Sequence, residues 1–321
     1  MLNREFIIVH GSSNPELARK VGASMQPPVE VYNGIDRRFP NGETRVQIPV
    51  NVCKRSVYIL QPTCPPYVDR AHSELTMLLD AARRASASEI VAVVPDFGYG
   101  RQDRKDRPRT AITAALRARE IQAAGATKIM TIDPHSESIE ATTTIPWDKF
   151  YGSYALVPAI RRLSLQNPVV ISPDLGGLRR AVEYSEKLGL GEDVAVIYKR
   201  RSPETGKPKA IRLIGDVEDR DVLIVDDIGD TFGTLITAAD FAKRNGARDI
   251  YAVITHGYFS GSAYDRLERS TIKLVLCTDT VPLRPKVAAS SKVEIVSVAE
   301  LLARAIEYNI AGKSISADLI H

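Results

Sequence analysis

Short, uninterrupted apolar runs rich in valine and isoleucine recur along the whole chain, and they limit its possible folds more than any other feature. They are Phe6–Val9, Val57–Leu60, Ile90–Val94, Ile129–Ile132, Val169–Ile171, Val194–Ile197, Val222–Val225, Tyr251–Ile254 and Leu274–Leu276. Unbroken β-branched runs of this length suit strands buried on both faces of a parallel sheet. Segments with helical spacing lie between them. Glu74–Ala85 puts Leu75, Leu78, Leu79 and Ala82 on one face, Thr110–Ala124 does so with Ile112, Leu116 and Ile121, and Leu235–Arg244 with Ile236, Ala239 and Phe241 nearby. Strand and helix alternate throughout, which predicts an α/β fold with helices on both faces of the sheet.

The rhythm runs twice, and 321 residues exceed one comfortable hydrophobic core. The first series ends near Pro146 and the second begins near Ala155, so the stretch 145–150 is the best boundary candidate. The expected division is residues 1–149 and 150–306, with a final helix near Val298–Tyr308 and the tail 307–321 packing back on the first half. Basic residues number 43 against 39 acidic, a net charge of +4, which gives no reason to expect a nucleic-acid partner. No stretch approaches the ~20 apolar residues that span a bilayer, and the N-terminal apolar run is too short for a signal peptide. Cys53, Cys64 and Cys277 have neither metal-ligand nor disulfide-framework spacing and read as reduced thiols. These features predict a cytoplasmic protein without a membrane partner.

The run Val222–Val225 leads straight into Asp226-Asp227, then Asp230-Thr231-Phe232-Gly233-Thr234, then a helix. Ligands of open α/β sheets bind beyond the carboxyl ends of the strands. A Gly- and Thr-bearing loop at a helix start offers N–H groups and hydroxyls to a phosphate. Two adjacent carboxylates repel phosphate but accept hydrogen bonds from sugar hydroxyls or hold Mg²⁺. Together they describe a site for a sugar phosphate. The plainer alternative is a solvated turn with a helix cap, which needs one acid where this loop has three.

The pattern Val-Asp-Asp-x-x-Asp-Thr-x-Gly-Thr resembles the phosphoribosyl-diphosphate loop of the type I phosphoribosyltransferase fold. It departs at Phe232, where a small residue is usual, and the loop amides can still cradle phosphate if that ring points away. Further segments narrow the resemblance to ribose-phosphate pyrophosphokinases over nearly the whole chain. Phe39-Pro40-Asn41-Gly42-Glu43 is similar to the family's ATP-base segment, although alone it reads as a turn. The resemblance implies that Phe39 stacks on adenine while Asn41 and Glu43 contact the nucleoside across a subunit boundary. Arg101-Gln102-Asp103-Arg104-Lys105-Asp106 is similar to the family's flexible loop, with Arg101, Gln102, Lys105 and Asp106 as ATP contacts, and Gly98 and Gly100 are expected to permit hinge motion. Alone it reads as a solvated charged loop.

Asp133-Pro134-His135 matches the family's Asp-Leu-His position, where the histidine contributes to the metal–ATP site, although a lone strand-end histidine is more often structural. Ser172-Pro173-Asp174-Leu175-Gly176-Gly177 matches Ser-Pro-Asp-x-Gly-Gly, with Asp174 as a second metal-site residue. Lys199 and Arg201 occupy the catalytic Lys and Arg positions. Ser314 and Ser316 lie in a tail similar to that of the phosphate-activated class, whose tail serines line an effector site, but Asn51 and Cys53 stand where that class commonly has Ser and Arg.

The resemblance implies two tandem phosphoribosyltransferase-like domains, each a mainly parallel sheet flanked by helices. It also implies diphosphate transfer from ATP to ribose 5-phosphate for nucleotide biosynthesis, Mg²⁺ as cofactor, and a dimer-based homo-oligomer with a shared ATP site, hexamers built from dimers being common in the family. Asp226 and Asp227 would then hold the ribose hydroxyls, and Asp230, Thr231, Phe232, Gly233 and Thr234 the 5-phosphate. The competing readings are a pyrophosphokinase for another ribose-phosphoester acceptor, a phosphoribosyltransferase, and a non-catalytic regulatory relative.

Overall fold

The computed structural model describes residues 6–191, 193–201 and 208–315, and the chain divides into two compact units. The first unit extends to Tyr151 and takes up Thr280–Pro282 and the segment from Ser297 onward, while the second holds Gly152–Asp279 and Leu283–Val296.

In the first unit the elements are β1 (Phe6–His10), α1 (Pro15–Ser24), β2 (Val31–Asn33), β3 (Ile35–Arg38), β4 (Thr44–Val46), β5 (Ser56–Leu60), α2 (Val68–Arg84), β6 (Glu89–Val94), α3 (Thr113–Ala124), β7 (Lys128–Ile132), a 3-10 turn (Glu137–Thr142) and β8 (Trp147–Phe150). The strands form a parallel sheet in the order β2-β1-β5-β6-β7-β8, while β3 and β4 make a separate antiparallel hairpin. All five residues of β5 are buried, which is why the sequence there shows no alternation. Helix α1 begins where it does because Asn14 accepts a hydrogen bond from the Leu17 N–H at 3.1 Å and Pro15 opens the first turn. Helix α2 buries Ala71, Leu75, Leu78, Leu79 and Ala82 against the sheet, each leucine contributing about 1.5–3 kcal/mol.

The second unit contains α4 (Ser153–Arg161), β9 (Val169–Ser172), α5 (Leu178–Leu188), β10 (Val194–Arg201), β11 (Pro208–Ile214), β12 (Val222–Gly229), α6 (Gly233–Arg244), β13 (Ile250–Gly257), α7 (Ala263–Glu268), β14 (Leu274–Thr278), α8 (Pro285–Ala288) and β15 (Val293–Val296). Its sheet runs β11-β10-β9-β12-β13-β14-β15, parallel except for the edge pair β10–β11. Helix α9 (Ala299–Ala311) returns to the first unit. There Asn309 donates to Tyr58 Oη (2.8 Å) and Glu89 Oε1 (3.2 Å) and accepts from Lys128 Nζ (2.7 Å).

Every strand expected from an apolar run is present. The stretch 145–150 is not plain connecting chain, since Trp147–Phe150 pairs with β7 as the edge strand of the first sheet. Its Asp148 meets Lys128 of β7 at 2.9 Å. Among the described residues no helix is long and apolar enough to cross a membrane.

Candidate active site

In the second sheet β10 lies on one side of β9 and β12 on the other. The order of the strands reverses there, and in open α/β sheets ligands bind at such a point, beyond the carboxyl ends of the flanking strands. Those ends carry Ser172–Gly177 and Asp226–Thr234. Strand β12 continues past the expected end at Val225 because its pairing with β13 persists: Asp226 lies opposite Ile254, Ile228 opposite His256 and Gly229 opposite Gly257. The two acids therefore stand on a rigid strand end rather than in a loop, with the Asp226 side chain 20% exposed and that of Asp227 6%.

A single guanidinium serves both carboxylates. Arg180 Nη1, on α5, stands 3.6 Å from Asp226 Oδ1 and 3.5 Å from Asp227 Oδ1. Each acid also accepts from the following N–H, at 3.0 Å for Asp227 N to Asp226 and 3.1 Å for Ile228 N to Asp227. Burial, reinforced by Asp227 and more weakly by Asp174, pushes Asp226 well above the usual carboxylate range, with Arg180 pulling against it. Asp174 itself closes the turn before α5, since its Oδ1 accepts from Gly176 N (3.0 Å) and Gly177 N (3.2 Å). Among the described residues Asp174, Asp226, Asp227 and Arg180 thus gather at a strand end, a set suited to hydroxyl groups and a cation.

The anion side lies at the start of α6, which begins at Gly233 and has no side-chain cap. Phe232 at the N-cap is left-handed, with φ +60°. That conformation costs a bulky L-residue about 1–2 kcal/mol. The ring is 2% exposed and lies 4.5 Å, centroid to centroid, from Phe259 in the core. Burial of about 1.5–3 kcal/mol, plus ~1 kcal/mol for the aromatic pair, outweighs the strain. The ring therefore points away from the loop's amide side, the condition under which a phosphate still fits. Arg266 Nη1 of α7 adds a bond to Thr231 O at 3.3 Å.

Lys199 and Arg201 lie on β10, in register with Ala210 and Pro208 of β11, and an irregularity falls between Tyr198 and Lys199.

In the first unit, Phe39–Glu43 is the exposed tip of the β3–β4 hairpin. Phe39 N bonds Glu43 O (2.8 Å), Gly42 N bonds Phe39 O (2.9 Å), and Asn41 Oδ1 accepts from Glu43 N (3.1 Å). Gly42 has φ +93°, so glycine is required there. The Phe39 ring is 37% exposed, with Arg37 6.0 Å from its centroid. The hairpin is fastened next to its tip through Arg38, whose Nη2 donates to the fully buried Glu74 at 2.8 Å. Glu74 Oε2 also accepts from Ser12 N (3.1 Å), Ser12 Oγ (2.6 Å) and Gln61 Nε2 (2.9 Å).

Gly98 and Gly100 are not explained by hinge freedom. Both are buried, and a Cβ on Gly98 would stand 2.2 Å from Thr63 O, one on Gly100 3.1 Å from His135 Cβ. They allow close approach, and the exposed stretch begins only at Arg101. Arg101, Gln102, Lys105 and Asp106 are exposed on it, and Gln102 is tethered by Thr113 Oγ1 to its Oε1 at 2.7 Å. Tyr99 fixes the start of the loop through a 2.5 Å bond to Asp69, which also pairs with Arg117 at 3.0 Å. Exposed His135 lies beside Gly100, beyond the carboxyl end of β7. Ser314 is exposed after α9, and Ser316 falls outside the described residues.

The sequence reading missed Arg180, Arg266 and the Arg38–Glu74 pair. Arg180 had one signal, its place in the first turn of the helix that follows Ser-Pro-Asp-x-Gly-Gly. The others are set by tertiary packing and carry no local pattern.

Residues 6–125 match the family model described as the N-terminal domain of ribose phosphate pyrophosphokinase, and residues 201–319 match the phosphoribosyl synthetase-associated domain. The ribose-phosphate pyrophosphokinase of Wolinella succinogenes is 40% identical over 94% of this chain and 95% of its own length. That of Vibrio parahaemolyticus is 41% identical over 96% of each, and ribose-phosphate pyrophosphokinase A of Dictyostelium discoideum 38% over 96% of each. The crystal structure of phosphoribosylpyrophosphate synthetase from Mycobacterium smegmatis superposes with a TM-score of 0.88 at 31% identity, over 96% of this chain and 99% of that one.

Proposed function

The chain belongs to the ribose-phosphate pyrophosphokinase family, and we propose on that premise that it transfers the diphosphate group of ATP to the anomeric hydroxyl of ribose 5-phosphate, giving phosphoribosyl diphosphate and AMP. Beyond family membership, one observation supports this most: Asp226, Asp227, Asp174 and Arg180 converge beside an uncapped helix start. Carboxylates for sugar hydroxyls then stand next to N–H groups for a phosphate.

In this reading Asp226 and Asp227 hold the ribose hydroxyls, while the N–H groups of 230–234 with the Thr231 and Thr234 hydroxyls hold the 5-phosphate. Phe39, Asn41 and Glu43 hold the adenosine, and Arg101, Gln102, Lys105 and Asp106 the polyphosphate. Attack of the anomeric oxygen on the β-phosphorus displaces AMP, a reaction governed by in-line positioning and charge neutralisation. Lys199 and Arg201 neutralise charge on the group in transit. Closure of the exposed loop after Gly100 excludes water and limits ATP hydrolysis.

Asp174, aided by Asp226 and Asp227, would hold Mg²⁺ in the second unit, and His135 of the first unit is a further metal-ligand candidate by the resemblance. The donor chemistry fits: Asp174 uses one oxygen on backbone N–H groups, and the second is the one offered to a cation. Mg²⁺ commonly takes one or two protein carboxylates and completes its shell with substrate oxygens and water. Bound Mg²⁺ supplies charge neutralisation at the phosphates. The shared ATP site implies a dimer-based homo-oligomer, and the free thiols suit a reducing cytoplasm.

The test is incubation with ATP, Mg²⁺ and a panel of ribose phosphates, following AMP and the diphosphate ester. AMP formation coupled to ribose 5-phosphate is expected. Turnover only with another acceptor, or none, would refute the assignment.

A further inference from the structure

The carbonyl side of the loop 229–232 is held at every residue. Gly229 O accepts from Tyr258 N (2.9 Å) and Phe259 N (3.0 Å), Asp230 O from Ser260 N (2.9 Å), Thr231 O from Arg266, and Phe232 O from Ile236 N (3.0 Å). The Phe232 ring makes a further anchor. It lies on Phe259, itself left-handed at φ +48° and 1% exposed. Two glycines shape the seat. A Cβ on Gly229 would come within 3.0 Å of Phe232 Cε2 and 2.3 Å of Ile254 Cδ1, and one on Gly257 within 2.9 Å of Phe259 Cε2.

A left-handed residue ahead of a helix is natural for glycine and unfavourable for phenylalanine. Here the ring makes it obligatory, because leaving that conformation would pull the ring off Phe259 and out of the seat beside Gly229. The backbone angle at 232 sets the direction of the N–H groups that open α6. Fixing the angle fixes their aim before any ligand arrives, which lowers the ordering cost of binding.

We propose that Phe232 is a positioning residue for the 5-phosphate of the substrate: its ring, seated on Phe259 and beside Gly229, pre-sets the anion-binding turn at the start of α6. This rests on the reading of residues 226–234 as the ribose 5-phosphate site. The residue touches no substrate atom through its side chain and acts through the backbone alone.

The experiment is steady-state kinetics of the full-length Phe232→Gly, Phe232→Leu and Phe259→Ala proteins with ATP, Mg²⁺ and ribose 5-phosphate, with thermal unfolding measured alongside. Phe232→Gly keeps the left-handed conformation accessible but no longer enforces it. Its KM for ribose 5-phosphate rises about tenfold, with kcat and the KM for ATP little changed. Phe259→Ala, which removes the seat, moves the same KM in the same direction. Phe232→Leu keeps the bulk and falls between parent and Phe232→Gly. A ring that merely filled the core would lower Tm and the active fraction while leaving KM for ribose 5-phosphate unmoved, and that result overturns the inference. Asp226→Ala, measured beside them, separates the two levels. If it too leaves that KM unmoved, the ribose 5-phosphate reading has failed. If only the ring variants do, the positioning role alone has failed.

Discussion

Arg180 Nη1 sits within 3.6 Å of two carboxylates that follow one another in a strand. Burial first, then Asp227 and more weakly Asp174, push Asp226 upward, and the nearby guanidinium only partly offsets them. Such a site is incomplete without a cation or hydroxyl donors from substrate. The acids were legible in the sequence, but Arg180 was signalled only by its place in the helix after Ser-Pro-Asp-x-Gly-Gly, because packing is what brings that helix over the acids. Lys199 is the opposite case, a residue named by its position in a motif and proposed to act on the moving diphosphate. Lys199→Ala is expected to lower kcat about a hundredfold, the ~3 kcal/mol typical of losing one donor to transition-state charge. Near-normal turnover in a rapid AMP-release assay would remove Lys199 from the mechanism.

The long strands were readable because they are buried throughout: β5, β13 and the first half of β12 contain no exposed residue to interrupt an apolar run. Strands β2, β3 and β4 were not, being three or four residues long and half-exposed. The unreadable hairpin nevertheless presents the adenine-stacking candidate, and the end that carries it is tied to a carboxylate buried in a different element, Glu74 of α2. Glu74→Gln leaves Arg38 without its charge partner and weakens the bonds from Ser12 and Gln61. A loss of about 2 kcal/mol in stability is expected, together with a several-fold rise in KM for ATP and an unmoved KM for ribose 5-phosphate. An unchanged KM for ATP in a folded Glu74→Gln protein would show that the hairpin holds its place without this anchor.

Over the whole molecule, two buried histidines set a direction of pH dependence. Burial holds His10 below its ordinary range, as does Arg19 in part, against a bond to Gly11 O. Burial and then Arg117 lower His72, against its bond to Glu120. A histidine whose folded value is depressed binds fewer protons when folded, so stability rises with pH. The contribution is complete above about 6.5, the ordinary histidine value, and is lost as the pH falls below it. Tm is therefore expected to drop between about pH 7 and 5, and His72→Gln to flatten part of that slope. A Tm constant over that window would contradict the burial argument. Control of the whole enzyme is expected to be altered as well. Asn51 Oδ1 closes a turn onto Cys53 N at 3.0 Å, and neither side chain is the Ser or Arg of the phosphate-activated class. A phosphate titration of activity should be flatter than in that class, and a full activation curve would count against it. The two-unit α/β architecture followed from the doubled rhythm of strands and helices, and so did the expectation that the tail packs back on the first half. The sequence does not show that all of α9 goes with it, because its buried face of Leu301, Leu302, Ala305 and Ile306 would suit either sheet, and polar contacts such as those of Asn309 act only once the helix is in place.

The tight seat around Phe232 also constrains the history of the gene. A Cβ at 229 would stand 3.0 Å from the ring and 2.3 Å from Ile254 Cδ1, so a larger residue at 229 and the phenylalanine at 232 compete for one space. Positions 229 and 232 are therefore expected to vary together among related sequences.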